Sequence, residues 1–346
     1  MLSKLGGAHR DRFPAPQPSE RWCYGNNCGE ISMRIIEDIE LLEMLDWQTA
    51  YRLAAVAADL QGDKRRFNRP PRNFYGTNSG SSLFGIMPLI LHSPPLLGLK
   101  VVNIFPGNSA FRLSTHQGAY QLFCGRTGQP LAVMNANILT GIRTAAMSAI
   151  ATSRIAPGLT EEIAIIGTGD LARWHVRAFG TIFKPRRIVI AGRNLHAAES
   201  IISEVRHEFP DVEICSKSIE QAVQDASVIC TVTSSRTPVV RKEWVAPRAH
   251  INAIGAFSPD YAELDECLFE RAVCFSDDLE AFPEHCGEYL KLVSQGRGRS
   301  LGVFGLWEPG LGSPRAGVSI YKSFGTAIQD IVFAAYCAGI DVQDGH

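Results

Sequence analysis

Ile163-Ala-Ile-Ile-Gly-Thr-Gly-Asp-Leu-Ala172 decides how this chain folds. Its apolar run suits a short buried strand, and the glycines that follow end the run at once. Gly167 permits a tight turn, and Gly169 lets backbone approach a pyrophosphate. Ala172 is the small residue that lets the next helix pack closely on the strand. A helix N-terminus placed there offers free N–H groups and a positive dipole end to phosphates. Glycine turns are common, so the surroundings carry the weight. Glu161 and Glu162 lead in, Arg173-Trp-His-Val-Arg-Ala-Phe-Gly180 continues as a helix, and Arg187-Ile-Val-Ile-Ala191 supplies a second strand. The segment reads as a dinucleotide-binding turn, with Gly167, Thr168, Gly169, Asp170 and Leu171 around the phosphates.

Working outward, the pattern after Glu161 alternates strand and helix. Strands are expected at 163–167, 187–191, 212–215, 227–232, 250–254 and 272–276. Alternation of this kind implies parallel strands joined by right-handed crossovers. An apolar helix is expected over Ser323 to Ala338, and the Gly-rich stretch 296–317 has no assignable pattern. Upstream, residues 83–134 alternate apolar runs with Gly and Pro turns, as a mainly antiparallel sheet does, and Thr127-Gly128 suits a hairpin turn. Asn137 to Ile155 reads as a long Ala-rich helix with Asn137 as its N-cap. Met33 to Leu60 carries amphipathic helical spacing. Residues 1–32, with Gly-Gly and Pro-Ala-Pro-Gln-Pro, read as a disordered extension or as lying upstream of a start at Met33.

Composition narrows the function classes. The chain has 346 residues, 45% of them hydrophobic, and 34 basic against 35 acidic side chains. That length suggests two domains, and the near balance of charge argues against a nucleic-acid or membrane-surface partner. The best apolar stretch, Leu83 to Leu99, is broken by Pro88, His92, Pro94 and Pro95, so no membrane span is expected. Nine cysteines are scattered without metal-ligand spacing. Cys23 and Cys28 lack a second pair, and no metal site is expected. An odd count and no signal peptide favour a reducing, cytoplasmic setting.

The corner after the second strand bears on the choice of dinucleotide. NAD enzymes usually place a carboxylate there for the ribose 2′-OH. This chain has Ala191-Gly-Arg-Asn194, and the Arg193 guanidinium can pair a 2′-phosphate. NADP(H) is favoured over NAD(H). Under the other reading, Arg193 is a surface residue and NAD binds through Asn194 and backbone.

Several segments together resemble the ornithine cyclodeaminase/mu-crystallin family. They are Gly98-Leu-Lys-Val-Val-Asn-Ile-Phe-Pro-Gly-Asn108, Ser114-Thr-His-Gln117, Leu131-Ala-Val-Met134 and Thr140-Gly-Ile-Arg-Thr-Ala-Ala146. The glycine turn, Cys230-Thr-Val-Thr233, His250-Ile-Asn-Ala-Ile-Gly-Ala256 and Ile320-Tyr-Lys-Ser-Phe-Gly-Thr-Ala-Ile-Gln-Asp330 complete the set. The mu-crystallin branch is nearest, through Phe84-Gly-Ile-Met-Pro88 and Val133-Met134. The resemblance implies an α/β protein with a Rossmann doubly wound parallel sheet over 151–317. A second, α+β substrate and dimerisation domain would comprise 33–150 and 318–346, in a homodimer. It implies that Arg72, Lys100 and Arg143 clamp a substrate α-carboxylate, and that Thr231, Val232, Thr233 and Gly255 line the cofactor. Lys100 in an apolar strand and Arg143 in an Ala-rich helix both need a counter-ion, and either a small anionic substrate or a structural ion pair would supply it.

Members of this family pass hydride between nicotinamide and the α-carbon of an amino acid or imine. Cyclodeamination also uses acidic residues near the substrate's amino groups. This chain has Gly85 and Phe257 at those places, and neither accepts a proton. Reduction of a small ketimine carboxylate is therefore expected, with Phe257 lining the ring side. The alternatives are an ornithine cyclodeaminase or NAD-dependent amino-acid dehydrogenase, and a non-enzymic NADPH-binding protein. Lys100, Asp260 and Lys322 are the candidates for a catalytic acid, and His116 is a polar strand residue nearby.

Overall fold

The structure, a computed structural model, describes residues 32–77, 82–111, 113–298, 301–308 and 317–342. The extension expected over 1–32 lies outside them apart from its last residue, and so do Cys23 and Cys28.

The first unit is built on one sheet. Its strands are β1 (Arg34–Ile36), β2 (Phe67–Asn68), β3 (Asn73–Gly76), β4 (Leu83–Leu91), β5 (Leu96–Ile104), β6 (His116–Cys124) and β7 (Pro130–Asn135). They lie in the order β1-β7-β6-β5-β4-β2, with β3 also on β4. Only β1 and β7 run parallel; the other pairs are antiparallel. The apolar alternation of β4 and β6 buries Leu89, Leu91, Tyr120 and Leu122 on one face. Gly128, at φ +74°, makes the expected turn between β6 and β7. Helices α1 (Asp38–Met44), α2 (Trp47–Gln61) and α3 (Ala136–Ile155) belong to this unit. The N-cap of α3 is Asn135 and not Asn137: β7 passes directly into the helix, and the Asn135 side chain accepts from the N–H groups of Asn137 and Ile138. Asn137 instead donates to the His116 carbonyl at 2.5 Å.

The second unit is an eight-stranded parallel sheet in the order β10-β9-β8-β11-β12-β15-β13-β14. Its strands are β8 (Glu162–Ile166), β9 (Arg187–Ala191), β10 (Glu213–Ser216), β11 (Val228–Thr231), β12 (His250–Ala253), β13 (Ala272–Ser276), β14 (Val303–Gly305) and β15 (Val318–Lys322). Helices α4 (Asp170–Phe183), α5 (Leu195–Val205), α6 (Ile219–Asp225), α7 (Cys267–Arg271), α8 (Phe282–His285) and α9 (Gly287–Ser294) connect them. Strand order reverses between β8 and β11, which makes the glycine turn after β8 the topological switch point of a doubly wound fold.

One boundary moves. The sequence division assigned everything from 318 onward to the first unit. Val318–Lys322 is instead buried along its whole length and lies between β12 and β13, as a central parallel strand requires. It is α10 (Ala327–Cys337) that packs into the first unit, against α2, α3, β4, β5 and β6. It starts later than expected because Ser323 to Thr326 form a loop, with Gly325 at φ +68°. That loop joins the two units, and α3 contacts both.

Candidate functional site

The turn after β8 has the tight, open backbone expected of its glycines. Gly167 has φ +136°, and a Cβ there would stand 2.7 Å from the Val232 carbonyl, so the turn after β8 touches the end of β11. Gly169 is the N-cap of α4 and brings no side-chain cap, which leaves the first N–H groups of the helix for a ligand. A Cβ on Gly169 would meet nothing within 4 Å, so that approach is open. Ala172 is fully buried. Asp170 and Leu171 form the first turn of α4; Asp170 lies 3.8 Å from Arg173, and the Leu171 carbonyl bonds buried His175 at 2.7 Å. Thr168 faces the next turn, since a Cβ on Gly192 would lie 2.9 Å from its methyl group. Arg193 follows, exposed and with no ion pair among the described residues. The Asn194 oxygen is already committed, because it caps α5 through the Ala197 N–H at 3.1 Å. Thr231, Val232, Thr233 and Gly255 gather at the ends of β11 and β12.

At the other end, three elements bring charge together. Lys100 of β5 reaches Asp330 of α10 at 2.7 Å, and the Arg143 Nε from α3 reaches the other oxygen of the same carboxylate at 3.0 Å. Gln329 accepts from Arg143 at 2.7 Å. Arg72 donates to the Phe324 carbonyl at 3.2 Å. Gly325 roofs the guanidinium of Arg143: a Cβ there would be 2.9 Å from both terminal nitrogens. Asp277, at the end of β13, holds this loop by accepting from the Ser323 hydroxyl, the Phe324 and Gly325 N–H groups and the Gln329 amide.

The electrostatics follow from that inventory. Arg72, Lys100 and Arg143 are set against Asp330 and Asp277, while Asp278, which also faces Arg72, is paired with Arg69 at 2.6 Å; the group is left with positive charge in excess. Burial pushes the Lys100 ammonium down to about 8; Asp330 opposes the drop, and Arg143 and Arg72 add to it. Burial alone would raise the Asp330 carboxyl, but Lys100 and Arg143 outweigh it and hold it below the ordinary range. His116, at the start of β6, lies within electrostatic reach of both Asp170 and Lys100, between the glycine turn and the cationic cluster. Its pKa is lowered by partial desolvation from the surrounding chain, although the residue keeps an exposed face.

Other candidates fall elsewhere. Lys322 is fully buried on β15 and pairs with Glu288 at 3.1 Å, so its ammonium is consumed inside the second unit. Asp260 is an exposed turn residue, in a turn closed by the Tyr261 N–H on the Ser258 carbonyl at 3.1 Å. Phe257 stacks on Tyr261 with ring centroids 6.3 Å apart and packs on the apolar core of the second unit. Gly85 is covered: a Cβ there would lie 2.6 Å from the Phe74 ring. Sequence reasoning missed Asp330, which is the counter-ion of two expected clamp residues. The signal was an acid in the first turn of an otherwise apolar helix. It also missed Asp277, whose partners lie in the loop before α10 and on Gln329, and Glu263, whose partners lie at the end of β11 and in the loops after β11 and β12.

A glycine turn at the switch point of a doubly wound parallel sheet, with a buried cationic cluster on a second α+β unit, defines an α/β protein of the Rossmann class. The chain belongs to the ornithine cyclodeaminase/mu-crystallin family, whose model matches residues 30–339. It is 34% identical over 285 residues to the ketimine reductase mu-crystallin of Rattus norvegicus, covering 81% of this chain and 88% of that protein. It is 30% identical to the delta(1)-pyrroline-2-carboxylate reductase of Paracoccus denitrificans, over 70% of this chain and 79% of the relative. Among solved structures, an archaeal alanine dehydrogenase dimer with bound NAD superposes with a TM-score of 0.79 at 28% identity, covering 88% of this chain and 95% of that one.

Proposed function

We propose that this protein is an NADPH-dependent reductase of small α-imino carboxylates. The carrying observation is a surplus of positive charge: Lys100 and Arg143 share one buried carboxylate, Asp330, and half-buried Arg72 lies within electrostatic reach of Lys100. A small carboxylate substrate balances that surplus, and the planar Arg143 fork suits it. The ketimine and pyrroline-carboxylate reductases among the relatives support this substrate class.

The residues at the other end fit a nicotinamide dinucleotide. The uncapped α4 N-terminus and the open face of Gly169 would hold the pyrophosphate, and Arg193 would pair the 2′-phosphate of NADP(H). When bound, the reduced nicotinamide would supply hydride to the imine carbon. This chain's part is orientation and charge. Asp330 fixes Lys100 and Arg143 so that their remaining N–H groups turn to the substrate carboxylate. An iminium bound already protonated needs no acid from the protein, and its positive charge is removed by reduction. Phe257 and Gly85, the latter under the Phe74 ring, leave no carboxylate for cyclodeamination at those two places.

The exposed aromatics of the first unit support a homodimer. Tyr75 of β3 and Phe84 of β4 lie ring against ring at the surface, and Phe111 is 74% exposed. Light scattering should return twice the chain mass of 37.8 kDa. Cys215, Cys230, Cys267, Cys274, Cys286 and Cys337 are free thiols, which supports a reducing compartment such as the cytoplasm. No helix among the described residues is long and apolar enough to cross a membrane.

The test is a cofactor-oxidation screen with cyclic and linear ketimine carboxylates and both reduced nicotinamide dinucleotides. NADPH consumption with such a substrate is expected. Ammonia release from ornithine without net cofactor change would replace the reading with cyclodeamination. Tight NADPH binding with no turnover on any ketimine would replace it with a non-enzymic binding protein.

A further inference from the structure

Glu263 has no place in the function so far, yet its side chain is among the most heavily bonded in the molecule. It is fully buried. One carboxylate oxygen accepts from the Thr231 hydroxyl at 3.0 Å, the Gly255 N–H at 2.7 Å and the Ala256 N–H at 3.1 Å. The other accepts from the Thr233 N–H at 2.6 Å and its hydroxyl at 2.9 Å. Thr231 and Thr233 close β11; Gly255 and Ala256 follow β12. One side chain therefore ties together two adjacent loops at the C-terminal edge of the parallel sheet, where ligands of doubly wound folds lie. The loops also touch directly: a Cβ on Gly255 would be 2.0 Å from the Thr233 carbonyl.

The clamp is itself anchored. Glu288 accepts from the Glu263 N–H at 3.0 Å and pairs with Lys322 at 3.1 Å. The Glu263 carbonyl accepts from the Val239 and Val240 N–H groups at 2.8 and 3.0 Å. Burial, with Glu288 nearby, raises the Glu263 pKa, and Lys322 and the Thr233 bonds oppose that rise; with both carboxylates ionised, the group is negative by one charge. Apolar packing could close a loop at lower desolvation cost, so a buried excess charge here asks for a use beyond stability.

We propose that Glu263 is a positioning residue for the nicotinamide end of the cofactor, clamping both loops that border it and keeping a buried negative charge beneath them. The inference rests on the dinucleotide reading given above. Its chemistry follows from the sign of the charge. Loss of hydride turns a neutral dihydronicotinamide into a cation, and a fixed negative charge nearby favours that change. The cationic cluster at Lys100 and Arg143 meets the substrate carboxylate, and the anionic one at Glu263 meets the ring that becomes positive.

Glu263→Gln separates this role from a structural one. The amide keeps the shape, but its NH2 must face N–H donors on one side of the clamp, and the charge is lost. The variant should bind NADP+ about tenfold more weakly while NADPH binding changes less, and kcat for imine reduction should fall about tenfold at saturating substrate. Thr233→Val removes one donor and strands no charge; it should shift the same ratio in the same direction by a smaller factor and secures the test if the Gln variant does not fold. Nicotinamide fluorescence titration of the full chain measures both affinities. A lowered melting temperature with an unchanged NADP+ to NADPH affinity ratio and unchanged kcat would overturn the proposal. If the wild type binds neither dinucleotide, both readings fall. If it binds both but reduces no imine, only the reductase reading falls, and the ratio still judges the clamp.

Discussion

Lys100 and Lys322 are both buried lysines in apolar strands, each paired with a carboxylate, and the molecule treats them in opposite ways. At Lys322 burial works against the charge, yet Glu288 and Glu263 outweigh it and raise the pKa above its ordinary value. At Lys100 burial wins, helped by Arg143 and Arg72, and the pKa falls to about 8. Burial is equal, so the balance of neighbours decides. The Lys322 group holds excess negative charge and needs no further anion. The Lys100 group holds excess positive charge and is completed by one. A buried lysine is a candidate for binding an anion when its surroundings leave it under-neutralised.

Substitutions at the two lysines break this comparison if it is wrong. Lys322→Met leaves Glu288 and Glu263 without their cation inside the second unit and should cost roughly 3–5 kcal/mol of stability by denaturant unfolding. Lys100→Met leaves Asp330 paired with Arg143, so stability should change far less while turnover of imino carboxylates collapses. Equal stability losses at both sites would erase the distinction.

Arg143→Ala should lower kcat/KM for carboxylated imines by about 100- to 1,000-fold. The dissociation constant of the dinucleotide should stay within about twofold, since the proposed cofactor contacts are at Arg193 and α4. Weakened cofactor binding without an effect on substrate would place Arg143 in the wrong region. Arg193→Asp sharpens the contrast from the other side. It should raise KM for NADPH by at least about tenfold relative to NADH; equal changes for both would remove the 2′-phosphate assignment.

The smallest effect is a pH dependence. On the proposed reading protonated Lys100 would hold the substrate carboxylate, and the charge is lost as pH rises through about 8. Between pH 7.5 and 8.5 kcat/KM should fall about threefold. Lys100→Arg keeps its charge and should move that limb upward; an unchanged limb would assign it to the imine's own titration.

The Rossmann unit was legible because its signals are local. A glycine turn, six apolar runs and their spacing all lie within short windows, and the parallel sheet follows from alternation. The antiparallel unit was legible from Gly and Pro punctuation. What escaped were partners distant in sequence. Asp330 meets Arg143 across 187 positions, and no local window contains that pair. Asn135 took the cap expected of Asn137 because the strand ends without a loop. β15 lay beyond the Gly-rich stretch, where no pattern signalled that the chain re-enters the second sheet. Lys322, a candidate acid by its place in the motif, was decided by Glu288, whose role only the packing of α9 against β15 discloses.

The most direct measurement is the rate of NADPH oxidation with Δ1-piperideine-2-carboxylate beside the same ring lacking its carboxylate. Completion of the Lys100–Arg143–Asp330 cluster by the substrate anion requires kcat/KM for the carboxylated imine to be at least about 100-fold higher. Equal rates for the two rings, or none for either, would contradict the account.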